Sequence, residues 1–146
     1  MSARPRLIFL LNSAQRRLQQ WIALQQTEAT TAGALAPSPA QAAVLFVLAK
    51  ADGATMGHLA QTLDLAPSAV SGLVQRMEAL AWVLRHPDPD DARTQRVWLQ
   101  PEGQAQLPAL KRAMQGINAR LTAGFTDAEL ATVARWLQHV QQLDQA

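Results

Sequence analysis

A mainly α-helical fold with one small β-hairpin is what this sequence predicts, and three observations predict it. Apolar residues recur at three- and four-residue spacing along most of the chain, the period of a helix with one buried face. Ser38…Gln41 and Thr126…Glu129 both have the form of a capping box, in which a hydroxyl and a side chain three residues on satisfy free amides at a helix start. Strand character is confined to Val83-Leu84-Arg85 and Arg96-Val97-Trp98-Leu99, on either side of the acid-rich stretch PDPDDART.

The first helix is expected from Leu7 to about Gln26, with Leu7, Leu10, Leu11, Ala14, Leu18, Trp21, Ile22 and Leu24 near helical spacing. Residues 27–37, TEATTAGALAP, then read as a frayed end and loop. Ser38 caps the next helix and Pro39 suits its first position. The run Ala42 to Ala49 reads as a helix buried on most sides, stopped by Asp52-Gly53. Thr55 caps a short helix from Met56 to Leu63, with Leu59, Ala60 and Leu63 inward. Asp64-Leu65-Ala66 makes a tight turn, with Leu65 directed into the core. Pro67 opens a helix to Leu80 whose apolar positions are Val70, Leu73, Val74, Met77 and Leu80. Its other side shows Ser68, Ser71, Gly72, Gln75, Arg76 and Glu78. After the hairpin, one helix is expected from Glu102 to Ala123 and a last one through Leu130, Val133, Trp136, Leu137, Val140 and Leu143.

Short helix, tight turn, longer helix and hairpin, in that order, is the layout of a winged helix-turn-helix. Ala60 is small where the two helices would cross. The polar face of the second helix suits DNA: small residues let the backbone sit deep in the major groove. Ser68, Ser71 and Gln75 can hydrogen-bond base edges or phosphates, and Arg76 can reach a phosphate or a guanine. The hairpin would act as the wing, delivering Arg93 to the minor groove, where narrow A·T-rich DNA deepens the negative potential. Asp91 is two residues away and an Asp91–Arg93 ion pair would hold the arginine in place. Arg85 and Arg96 on the strands complete the candidate DNA-binding set.

The totals set bounds. The chain has 146 residues, the size of one domain, and 49% of them are hydrophobic, enough for a real core. The absence of cysteine excludes disulfides and thiol-based redox sensing. His58, His86 and His139 are scattered without metal-ligand spacing, so no metal or other cofactor is expected. No secretory signal or transmembrane run is evident, and a cytoplasmic location is the expectation. No nucleophile with a base, phosphate loop or paired carboxylates stands in a recognisable frame, so the chain is read as a non-enzyme. The net charge is +2, divided as +3 over residues 1–36, −2 over 37–103 and +1 over 104–146. No broad basic patch announces nucleic acid, and local geometry must supply the contacts.

From Ser38 to Gly103 the chain resembles the MarR family of bacterial transcription regulators. The resemblance rests on Leu59-Ala60, Pro67-Ser68-Ala69-Val70-Ser71 and Met77-Glu78-Ala79-Leu80. Above all it rests on Asp88-Pro89-Asp90-Asp91-Ala92-Arg93, followed by Val97-Trp98-Leu99 and Glu102-Gly103. Phe9-Leu10-Leu11, Ala14 to Leu18 and Thr126 to Leu143 resemble the family's flanking helices. The resemblance implies one domain with dimerisation helices in residues 1–36 and 104–146 and a DNA-binding lobe over 37–103. It implies a homodimeric repressor on a pseudo-palindromic double-stranded operator, half-sites about 34–36 Å apart, released by a small aromatic or phenolic ligand. The ligand site it suggests draws on Asn12, Arg16 and Trp21 of the first helix, with Phe46 and His58 nearby.

Three positions depart from the family pattern. Ala81 stands where a Gly usually follows the recognition helix, Gln100-Pro101 follows Leu99 in place of Thr, and Ala66 takes the recognition-helix cap. The alternative to a DNA regulator is a dimeric small-molecule-binding or protein-interaction module with a non-functional helix-turn-helix, a reading that the negative balance of residues 37–103 supports.

Overall fold

A computed structural model describes residues 5–31 and 36–145. The chain divides into two compact units, Met1–Gln104 and Ala105–Ala146. In the first unit the helices are α1 (Leu7–Thr31), α2 (Pro39–Lys50), α3 (Met56–Leu63), α4 (Pro67–Ala79) and the single turn α5 (Pro101–Gln104). The strands are β1 (Ala54–Thr55), β2 (Val83–Pro87) and β3 (Gln95–Leu99), in the antiparallel order β1-β3-β2. The second unit holds α6 (Leu107–Thr122), α7 (Asp127–Gln141) and a closing 3₁₀ turn.

The helix starts follow local chemistry. Both capping boxes form: Ser38 Oγ accepts from Gln41 N while Gln41 answers the Ser38 amide, and Thr126 and Glu129 do the same for α7. Thr55 Oγ1 caps α3 by accepting from His58 N at 3.0 Å. Ala66 gives α4 no side-chain cap.

Four expectations change. The first helix runs on to Thr31, because nothing between Gln26 and Thr31 breaks a helix even though the apolar stripe has ended; residues 32–35 lie outside those described. A third strand, β1, was not expected from two residues; it pairs Ala54 with Val97 and Thr55 with Arg96. Leu65 is exposed rather than inward, because the turn closes through backbone bonds: its N–H donates to Ala60 O and left-handed Asp64 reverses the chain. The helix expected over Glu102–Ala123 is two helices. Pro108 has no amide to donate to Gln104 O, and its ring crowds that carbonyl, so the chain breaks at Ala105-Gln106.

The core of the first unit sits beneath the helix-turn-helix. Val44, Leu45 and Leu48 of α2, Leu59 of α3, and Val70, Leu73, Val74 and Met77 of α4 are buried, with Trp82, Val83 and Val97 from the hairpin. Each such side chain stabilises by about 1.5–3 kcal/mol relative to exposure. α4 and the hairpin are therefore anchored in one core.

The exit from α4 keeps the geometry expected of a Gly-terminated helix without the glycine. Trp82 N donates to Met77 O and Ala81 N to Glu78 O, the paired bonds that close a helix through a left-handed residue. That residue is Ala81, at φ 59°. Its Cβ costs about 1–2 kcal/mol there, while a Gly would cost about 0.4–1 kcal/mol more in unfolded-chain entropy. Ala81→Gly is expected to raise stability by about 0.5–1 kcal/mol. Urea unfolding checks this; an unchanged or lower midpoint would mean the turn is not strained.

Candidate nucleic-acid interface

The two helices of the helix-turn-helix meet through their apolar sides, which leaves the polar side of α4 outward. Ser68, Gln75 and Arg76 are exposed and Ser71 is half-buried. Val70, Val74 and Met77 on the opposite side are fully buried, so the helix cannot roll to present another face. Gly72 leaves room beside the Arg76 guanidinium: a Cβ there would lie 3.5 Å from Arg76 Nη1.

The wing loop, residues 88–94, is closed by its own hydrogen bonds. Asp88 N donates to Thr94 O at 2.7 Å and Thr94 N to Asp91 O at 2.9 Å. The Asp91–Arg93 ion pair expected from their spacing does not form. Asp91 Oδ1 accepts instead from the Arg93 backbone N–H at 3.1 Å, and its Oδ2 from the Thr94 hydroxyl at 3.3 Å. A carboxylate two residues ahead of an amide closes such a turn more readily than it reaches a long side chain pointing away. Arg93 is thus held by its backbone, with its side chain exposed at the tip.

Two other candidate arginines are engaged within the lobe. Arg85 Nε bonds Glu78 Oε1, linking β2 to the end of α4. Arg96 Nε bonds Asp88 Oδ2, and Arg96 Nη1 donates to Gly53 O at 2.8 Å. The Asp88 carboxyl also accepts from Asp90 N at 2.8 Å. The Asp90 amide first, and then the Arg96 guanidinium, hold its pKa below the usual carboxylate value. The acid beside the arginines is a bracket, but for Arg96 rather than Arg93.

Sequence reasoning missed what fastens the base of the wing. Asp52 Oδ1 accepts from Gly53 N at 3.0 Å and from Leu99 N at 2.7 Å, tying the α2–β1 turn to β3. Gly53, at φ +75°, lies under the Trp98 ring: a Cβ there would come within 2.5 Å of it. The Asp-Gly pair signals a turn in any sequence, and nothing in it names the strand that the turn will meet, whose Leu99 lies 47 residues on from Asp52.

The candidate ligand residues are not drawn together in this way. An open depression of about 530 Å³ along the start of α1 is lined by Arg6, Leu7, Ile8, Phe9 and Asn12. It takes in Asn12 but not Arg16, Trp21, Phe46 or His58. Arg16 is exposed on α1, and Trp21 and Phe46 are half-buried on α1 and α2. His58 lies on α3 with Nε2 3.5 Å from the Thr62 hydroxyl. Among the described residues no group of three metal-ligating side chains gathers, and no helix is long and apolar enough to cross a membrane.

Comparison with known proteins agrees with this geometry. Residues 37–94 match the model of the MarR family. Over 87 residues the chain is 32% identical to YsmB of Bacillus subtilis (strain 168), an uncharacterized HTH-type transcriptional regulator; the match spans 60% of this chain and 60% of that relative's length. The crystal structure of a probable transcriptional regulator from Pseudomonas aeruginosa has a TM-score of 0.75 at 26% identity, over 92% of this chain and 99% of that one. The PcaV transcriptional regulator from Streptomyces coelicolor, solved in complex with its natural ligand, shares the fold at a TM-score of 0.79 and 22% identity, over 97% of this chain and 99% of that one. Residues 37–94, which carry the helix-turn-helix and the wing loop, are thus similar to the MarR family.

Proposed function

We propose that this protein is a homodimeric, sequence-specific DNA-binding transcription regulator of the cytoplasm, a repressor released by a small aromatic or phenolic ligand. The observation that carries the DNA reading is the common anchoring of two DNA-directed elements. α4 exposes Ser68, Gln75 and Arg76 while its other side is buried in the same core as Val83 and Val97 of the hairpin that carries Arg93. A recognition helix and a wing on one rigid lobe can enter the major groove and the adjacent minor groove together. Arg76 and Arg93 are the lobe's candidate contacts to phosphate or base, with Arg85 and Arg96 already engaged inside the protein.

The apolar surface of the flanking helices supports the homodimer. On α1, Ile8 is 81% and Phe9 64% exposed, none of residues 7–25 is buried, and none of α7 is buried. Large apolar side chains left exposed on a helix mark an interaction surface, and a second copy supplies the matching helices. The ligand part of the proposal rests on the family resemblance.

Selection of bound duplexes from a random DNA pool at one fixed salt concentration tests the proposal. The expected result is a pseudo-palindromic consensus; no enrichment over random sequence would favour an interaction module instead. Gln75→Ala is expected to change the selected consensus more than the affinity for random DNA, because an amide reads base edges while phosphates dominate non-specific binding. An unchanged consensus would remove Gln75 from base readout.

A further inference from the structure

We propose that Arg96 and Asp88 form a positioning strut for DNA binding: Arg96 does not touch DNA, and the pair sets the wing so that Arg93 meets the groove. The proposal rests on the DNA-binding reading above. It starts from where each end of the pair is fastened. Arg96 Nη1 donates to the carbonyl of Gly53 at 2.8 Å, in the turn that leads into β1. Its Nε bonds Asp88, the first residue of the wing loop, whose side chain keeps only 11% of its exposure. Asp88 in turn holds the loop at two points, through its carboxylate to Asp90 N and through its own N–H to Thr94 O. One continuous run of polar contacts therefore leads from the β1 turn through Arg96 and Asp88 to the residues that flank Arg93.

A hairpin tip is otherwise held only by its two strands, and a side chain at such a tip loses conformational entropy on binding. Fastening the loop to the lobe before DNA arrives reduces that loss. The arrangement also decides between two roles for Arg96. A guanidinium that already has a carboxylate and a carbonyl for partners gains little from a phosphate, and breaking those contacts would leave Asp88 facing the DNA unneutralised.

The two roles predict opposite results for Asp88→Asn. This substitution removes a negative charge from the DNA-facing side and releases Arg96, so simple electrostatics predicts tighter binding. Asn still offers an oxygen to Asp90 N, but without the charge-assisted bond to Arg96. If the strut positions the wing, binding weakens although an acid has been removed.

The experiment uses the full chain and the duplex selected by the wild-type protein, with affinity measured across a salt series. Asp88→Asn and Arg96→Gln are each expected to weaken binding roughly two- to fivefold, as loss of one ion pair allows. The dependence of log K on log salt is expected to stay at the wild-type slope, since no phosphate contact is lost. The double variant is expected to be no weaker than either single one. In an Arg93→Ala background, Arg96→Gln is expected to have no further effect, which a general loss of folding would not reproduce. Circular dichroism confirms that each variant is folded, and Asp88→Asn carries the test if Arg96→Gln is not. Wild-type affinity or tighter binding for Asp88→Asn, a shallower salt slope for Arg96→Gln, or a further loss in the Arg93→Ala background would overturn the strut and make Arg96 a DNA contact. Failure of the wild-type protein to enrich any duplex would overturn the DNA-binding reading, and the strut with it.

Discussion

Gly103→Ala is expected to destabilise the protein by at least about 2 kcal/mol, as judged against core overpacking in general. Helix propensity alone predicts the reverse, since Ala is favoured over Gly by about 1 kcal/mol inside a helix. The packing decides the sign. A Cβ on Gly103 would lie 2.2 Å from the carbonyl oxygen of Trp82 and 2.9 Å from its carbonyl carbon. That oxygen accepts from Gln100 N at 2.9 Å, the bond joining the end of β3 to the exit from α4. Backbone cannot swing aside as a flexible side chain can. α5 would have to move off Trp82, which is buried at 3% exposure, and break that bond. Urea unfolding of Gly103→Ala beside the wild-type protein measures the effect. An unchanged midpoint would show that α5 shifts freely and that the wing-end glycine has no packing role.

Arg93→Ala is expected to weaken binding to the selected duplex at least tenfold, on the order of 1.4 kcal/mol, and to leave stability unchanged. The reason for the second half is local. The loop is closed by Asp91 through the Arg93 backbone N–H and the Thr94 hydroxyl, and alanine retains that amide. The side chain is exposed and adds nothing to the core. The loss should be larger on duplexes whose wing-facing segment is A·T-rich, where the narrowed minor groove concentrates negative potential. Affinity equal to wild type at matched salt would remove Arg93 from the interface.

The parts of the fold legible in the sequence are those governed by near neighbours. Ser38 with Gln41, Thr126 with Glu129, and Thr55 with His58 each act across three residues, and all three caps form. The inward positions of α4 follow from helical period, and Val70, Leu73, Val74 and Met77 are buried as read. The misreadings have physical causes of the same scale. The apolar stripe stopped before α1 did, because helical backbone continues wherever no residue breaks it. The break before α6 turned on Pro108, whose effect falls on the carbonyl four residues earlier.

The candidate interface divides in the same way. The residue types, the order of helix, turn, helix and hairpin, and the exposure of Ser68, Gln75, Arg76 and Arg93 were determined by the sequence alone, since period and turn chemistry are local. Which carboxylate holds which arginine was decided only by the tertiary structure. Asp91 and Arg93 are neighbours along the chain, yet the pairs that form join Asp88 to Arg96 across the hairpin and Glu78 to Arg85 across the helix exit. Strand register, with His86 opposite Arg96, brought Asp88 to Arg96, and the turn out of α4 brought Arg85 back to Glu78. Register is set by burying Val83 and Val97 on one face of the sheet. An ion pair worth little by itself follows the geometry that burial imposes, so spacing along the chain could place the arginines on the wing but could not choose their partners.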